Sequence, residues 1–121
     1  MNDLSNQVIG AAIDVHKILG PGLLESVYQK CLAYELTERK LTFSTEQNLP
    51  IKYKSLTFKD AYRTDFIVND TLIVELKAVE AILPLHKAQL LSYLKLSGNK
   101  LGLLINFNVP VLKQGISRII N

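Results

Sequence analysis

Two apolar runs of strand length, residues 72–79 and 101–107, flank a segment with the pattern of a helix, and this order restricts the fold more than any other feature. A strand, a helix and a second strand in succession close as a right-handed crossover, which lays the second strand parallel to the first. Parallel strands need cover on both faces, so the rest of the chain must supply helices. Leu4, Val8, Ala11, Ala12, Val15, Ile18 and Leu19 recur at helical spacing over residues 3–19. Gly20-Pro21-Gly22 breaks that helix. A second follows from about Leu23 to Arg39, with Leu24, Val27, Cys31, Leu32 and Leu36 as its apolar positions. Pro84 suits the first turn of a third helix, which reaches about Ser97 and stops at Gly98-Asn99.

The middle of the chain reads differently. Thr42, Phe43, Thr45, Ile51, Tyr53 and Phe58 lie in short β-rich runs interrupted by Pro50, which predicts edge strands or a hairpin. Residues 62–68 form a better strand, joined to residues 72–79 by Asn69-Asp70-Thr71, favourable turn chemistry. The tail from Gly115 to Asn121 is compatible with a last strand or a short helix. The expected architecture is α/β: a central mixed sheet flanked by helices, in one domain over residues 1–121.

Composition narrows the function classes. With 48% hydrophobic and 21% charged residues, the chain can build one core and is not disordered. A net charge of +3 tolerates a polyanionic partner without requiring one. The single cysteine, Cys31, excludes an intramolecular disulfide and a cysteine-based zinc site, and suits a small buried hydrophobe on a helix. The sequence shows no basic segment followed by an apolar run at its start and no stretch near the ~20 apolar residues that cross a bilayer. The expectation is a cytoplasmic protein with no membrane partner. A phosphate-cradling Gly-rich loop with its Lys and Ser/Thr is missing too, which argues against an NTPase.

The chemistry is concentrated in Tyr62-Arg63-Thr64-Asp65 and Glu75-Leu76-Lys77. Glu75 and Lys77 stand two apart within an apolar strand, so both point to one face, where unpaired charge is costly. Asp65 lies on the preceding strand. A two-residue turn would set it opposite Val74; a three-residue loop or a bulge near Asp65 sets it opposite Glu75. Two converging carboxylates supply hard oxygen ligands for Mg²⁺ or Mn²⁺, and Lys77 can orient water or stabilise a phosphoryl oxygen. Spacing alone fits a plain Glu75–Lys77 ion pair on a half-exposed strand somewhat better than a catalytic site. Arg63 suits either a phosphate or a carboxylate such as Asp65.

Asp65 with Glu75-Leu76-Lys77 resembles the core motif of the PD-(D/E)XK nuclease superfamily. More closely, the chain resembles the bacterial and archaeal GxxExxY family, whose motif stands here as Gly22-Leu23-Leu24-Glu25-Ser26-Val27-Tyr28. The similarity runs from the first helix through His16 and Leu19-Gly20-Pro21-Gly22 to Asn106-Phe107. It implies an αβββαβ core and metal-dependent phosphodiester hydrolysis on nucleic acid, DNA before RNA. Asp65 and Glu75 would be the Mg²⁺ or Mn²⁺ ligands and Lys77 the catalytic lysine. Glu25 matches a helix glutamate that assists metal or water binding, against the plainer reading of a solvated first-turn glutamate. Glu25 and Tyr28 share a helix face, which makes Tyr28 a substrate-side candidate.

His86, Gln89 and Tyr93 form one stripe on the third helix, and Gln89 to Tyr93 resembles the QxxxY element of RecB-like nucleases, where the glutamine contacts the lysine or the substrate. His86 as a capping or solvated side chain competes with His86 as a substrate contact. Thr64 replaces the proline of the superfamily's name. The resemblance also implies a homodimer. The alternative is a catalytically silent nucleic-acid-binding or regulatory protein that keeps the nuclease fold, since function lives in the site and not in the fold.

Overall fold

A computed structural model describes residues 2–121. Helices α1 (Asn2–Leu19) and α2 (Glu25–Glu38) precede strands β1 (Phe43–Tyr53), β2 (Leu56–Val68) and β3 (Leu72–Lys77). Helix α3 (Pro84–Ser97), strand β4 (Leu101–Asn106), a 3-10 turn (Leu112–Gly115) and strand β5 (Ile116–Ile120) complete the order. The three helices lie where the apolar spacing places them. The α1 stop is local: Gly20, at φ 68°, turns its N–H back onto the His16 carbonyl at 2.8 Å.

The sheet order is β1-β2-β3-β4-β5. Only β3 and β4 run parallel, in the register Leu72↔Leu101 to Lys77↔Asn106, with α3 as the crossover between them. The short β-rich runs are one hairpin. β2 is continuous from Leu56, and Lys54-Ser55 turn the chain, with Lys54 at φ 53°. The tail is both things its sequence allowed, a 3-10 turn and then an edge strand antiparallel to β4. Gly115 is obligatory there, because a Cβ would lie 2.1 Å from the Asn106 carbonyl oxygen.

Strand alternation sorts the core into two clusters. Phe66, Val68, Val74, Leu76, Leu103 and Ile105 face α1 and α2, meeting Val8, Ala11, Val15, Tyr28, Leu32 and Leu36. Ile73 and Leu104 face the other way, against Leu90 and Leu94 of α3. Cys31 packs as a half-buried hydrophobe against the first cluster. Three apolar positions depart from expectation: Ile18 is 83% exposed at the outer lip of the α1–α2 seam, and Leu24, in the turn before α2, and Val27, in its first turn, are also exposed.

Candidate active site

The loop between β2 and β3 decides whether two carboxylates meet. The strands pair as Phe66↔Val74, Ile67↔Ile73 and Val68↔Leu72, which leaves the three residues Asn69, Asp70 and Thr71 as the loop. Asn69 and Asp70 take φ values of 53° and 56°, a left-handed geometry that Asn and Asp tolerate better than most residues. The odd loop length sets Asp65 opposite Glu75. Here the backbone ladder ends and side chains take over. The Asp65 N–H donates to Glu75 Oε1 at 3.2 Å, and the Leu76 N–H donates to Asp65 Oδ2 at 2.8 Å.

β2 also turns over at this point. The Tyr62 hydroxyl and Thr64 Oγ1 lie 2.5 Å and 2.8 Å from Glu75 Oε1, whereas Phe66 and Val68 belong to the cluster under α1 and α2. On a regular strand residues 62, 64, 66 and 68 would share one face, so the strand reverses between Thr64 and Phe66, at Asp65. Opposite it on β1, Glu46 has φ 51° and drops out of the pairing between Thr45↔Phe66 and Gln47↔Thr64. Irregularities of this kind re-aim side chains and recur beside functional sites.

The electrostatics follow from crowding two acids in a half-buried gap. Burial, then the charge of Asp65, pushes the Glu75 carboxyl up to about 7, against the hydrogen bonds from Tyr62, Thr64 and the Asp65 N–H. Burial also raises Asp65; the Leu76 N–H and the Lys77 charge oppose that, while the Glu46 charge adds to it. The Tyr62 hydroxyl is held far above its ordinary range, first by burial and then by the neighbouring Glu75 charge. Near pH 7 the Glu75 carboxyl is therefore poised between its protonated and charged forms, and a bound cation would favour the charged one.

Lys77, two residues beyond Glu75, faces the same pocket, lined also by Tyr62, Arg63, His86, Gln89, Leu90 and Tyr93. Among the described residues Arg39–Asp14 is the one ion pair, at 2.9 Å, so Glu75 and Lys77 do not simply neutralise each other. Arg63 is not paired with Asp65 either: its Nε donates to the Glu46 carbonyl at 3.3 Å while the side chain lines the pocket. Glu25 approaches from α2. Its carboxyl is raised, first by burial and then by the Asp65 charge, and lowered by Lys77, which places it within electrostatic reach of both. His86 does both things its sequence allowed: Nδ1 accepts the Leu83 N–H at 3.0 Å, capping α3, and the ring lines the pocket. Tyr93 stacks on Tyr62, and Gln89 is exposed at the pocket wall.

Tyr28 is a correction. It is fully buried, its ring is stacked on Phe107 with centroids 4.4 Å apart, and it cannot reach a substrate. Its hydroxyl donates to the Gly20 carbonyl at 2.6 Å and accepts the Leu23 N–H at 3.2 Å. Tyr28 therefore clamps the Gly20–Leu23 turn that delivers Glu25 to the site. His16, left outside the site, is also structural, with Nε2 2.9 Å from the Val109 carbonyl.

A scan against protein families matches residues 2–119 to the PD-(D/E)XK nuclease superfamily. The chain belongs to that superfamily. No curated protein and no solved structure matches it. The three helices and five-stranded mixed sheet are consistent with the PD-(D/E)XK nuclease fold. Proteins of this superfamily are generally hydrolytic nucleases that use divalent metals. Among the described residues no three of His, Cys, Asp and Glu come together as a metal cage. Two hard carboxylates in a gap that disfavours their charge still fit an ion such as Mg²⁺, which retains several waters and takes one or two protein carboxylates. No helix among the described residues is long and apolar enough to cross a membrane.

Four participants escape a reading of the sequence. Thr64, seen there only as a missing proline, holds Glu75; Tyr62 does the same from two residues earlier. Glu46 acts on Asp65 from across the hairpin. Asn106, in register with Lys77, grips the end of β3 by accepting the Val79 N–H at 3.1 Å and donating to the Val79 carbonyl at 2.9 Å. The legible signal was a polar residue ending the apolar run of β4.

Proposed function

We propose that this chain is a divalent-metal-dependent nuclease of the GxxExxY family, hydrolysing phosphodiester bonds in nucleic acid, with DNA as its substrate. The observation that carries the reading is the pairing of Asp65 with Glu75 beyond the last ladder bond, with Lys77 facing the pocket beside them. Asp65 and Glu75 would hold Mg²⁺ or Mn²⁺. The bound ion supplies Lewis acidity toward the phosphate and acidifies water. The chain's own groups do the rest. Tyr62, Thr64 and the Asp65 N–H fix Glu75 through Oε1. Lys77 directs its ammonium at a phosphoryl oxygen or the attacking water, and Glu25 assists from α2. Arg63, His86, Gln89 and Tyr93 meet the substrate along the pocket, with the free Nε2 of His86 pointing away from its capping bond.

Purified protein incubated with single-stranded, duplex and branched DNA, and with RNA, tests the reading directly. Cleavage should require Mg²⁺ or Mn²⁺, cease on chelation, and fall by about 10²–10³-fold in Lys77→Met. Cleavage that survives chelation, or persists in Asp65→Asn, would overturn it. Binding without turnover by folded wild type in the presence of either ion would favour the catalytically silent alternative.

A further inference from the structure

β1 and β2 run on past the pocket as a two-stranded ribbon. β3 pairs with β2 only from Phe66 to Val68, whereas the β1–β2 pairing continues to Tyr53↔Leu56. From Leu49, paired with Tyr62, to Tyr53 at about 3.3 Å per residue, the ribbon reaches roughly 13 Å from the pocket, and β2 carries two extra residues where the register shifts between Leu49 and Ile51. Residues 50–61 are exposed throughout except for half-buried Ile51. The pairs Ile51↔Phe58 and Tyr53↔Leu56 put four apolar side chains on one face, and three of them stay open: Tyr53 is 60%, Leu56 56% and Phe58 48% exposed. Contiguous apolar groups left in water mark a surface that meets something.

The position and charge of the ribbon indicate what. Leu49, which ends the regular pairing before a register shift between Leu49 and Ile51, packs against the α3 cluster, so the ribbon springs from the sheet beside the face that carries the pocket. Lys52, Lys54 and Lys59 stand against a single acid, Asp60, whose carboxylate accepts a hydrogen bond from Asn48 Nδ2 at 3.1 Å. Lys54 Nζ lies 5.5 Å from the centroid of the Tyr53 ring, so a base stacked on Tyr53 brings its phosphate near an ammonium. A second copy seated on this face would crowd two sets of lysines together. A polyanion with flat apolar bases matches both the charge and the rings.

We propose that this ribbon holds unpaired nucleotides of the substrate, with bases stacked on Tyr53 and Phe58, a phosphate met by Lys54 at the turn, and Lys52 and Lys59 adding longer-range attraction for the polyanion. The two rings sit on diagonal positions about 7–8 Å apart, spaced for neighbouring unstacked bases. The strand then continues past Arg63 into the pocket; this direction rests on the nuclease reading above, while the binding itself needs no metal. Duplex bases, hidden in their stack, offer the rings nothing.

Fluorescence anisotropy in chelator, with a labelled single strand, a blunt duplex and a duplex bearing a single-stranded tail, separates the cases. Single strand and tailed duplex should bind more tightly than the blunt duplex. Tyr53→Ala and Phe58→Ala should each weaken single-strand binding by about tenfold, with unchanged thermal melting, while Tyr53→Phe binds as wild type. Lys54→Gln should reduce the slope of log affinity against log salt by about 0.7, and Lys52→Gln or Lys59→Gln by less. Wild-type binding untouched by both aromatic substitutions overturns the proposal. So does equal preference for blunt duplex, or a wild-type dimer that the same substitutions dissociate. A wild type that binds no nucleic acid in chelator defeats the ribbon alone, since the nuclease reading is tested by cleavage with Mg²⁺ or Mn²⁺. The expected binding pattern with no metal-dependent cleavage defeats the nuclease reading alone.

Discussion

The two faces of the sheet are built to different purposes. Toward α1 and α2, a continuous apolar cluster draws on both helices and on strands β2, β3 and β4. Toward α3, only Ile73, Leu90, Leu94 and Leu104 are buried together, and the rest of that face is Tyr62, Glu75, Lys77, His86, Gln89 and Tyr93 around a pocket. Confining two half-buried acids destabilises a fold, because desolvation penalises their charged forms. The thick face offsets that cost. Stability thus resides mainly on one side of β3 and chemistry on the other, although neighbouring residues of the same strand supply both.

The sharpest way to break this comparison is to truncate each side in turn. Leu76→Ala, beneath α1 and α2, should cost about 3–5 kcal/mol, whereas Leu90→Ala, at the edge of the thinner cluster, should cost nearer 2 kcal/mol, read from chemical denaturation midpoints. Equal losses, or a larger one for Leu90→Ala, would contradict the division of labour.

A second effect belongs to the site face alone. The folded-state pKa of Glu75 is raised from 4.5 to about 7, so the folded protein binds a proton that the unfolded chain has released. The stability this contributes is fully present below pH 4.5 and is lost as pH rises through about 7. The metal-free protein should therefore lose roughly 5 °C or more in Tm across that window, and Glu75→Gln should flatten the curve. A wild-type Tm that rises over the same window would reverse the assignment.

The smallest expected effect concerns the clamp beneath Glu25. Tyr28→Phe keeps the ring on Phe107 but strips the Gly20 carbonyl and the Leu23 N–H of their partner, for about 1 kcal/mol. Nucleic-acid affinity should not change. A loss of affinity at unchanged stability would restore Tyr28 as a substrate contact.

Much of this was legible in the sequence, for identifiable reasons. Helix boundaries followed from apolar spacing and from Gly20, Pro84 and Gly98, each a strong local signal. The crossover and the parallel β3–β4 pair followed from two apolar runs around a helix. The demand for an odd loop beside Asp65 followed from strand alternation, and Asn69-Asp70-Thr71 meets it. What escaped was long-range. Whether Tyr28 faces substrate or core depends on Phe107, far along the chain, and both rings are apolar enough for either role. Thr64 and Tyr62 look like ordinary strand residues until β2 reverses its faces at Asp65. Glu46 is invisible until the hairpin register brings it level with that reversal.

The central claim is that Asp65 and Glu75 form one cation-binding unit which is partly protonated at neutral pH when no cation is bound. Calorimetric titration of Mg²⁺ and Mn²⁺ just below pH 7, in two buffers of different ionisation enthalpy, tests it most directly. The account predicts metal binding coupled to proton release in wild type, and loss of both in folded Asp65→Ala and Glu75→Ala. Folded wild type that takes up neither ion, or binding that survives both substitutions, would contradict it.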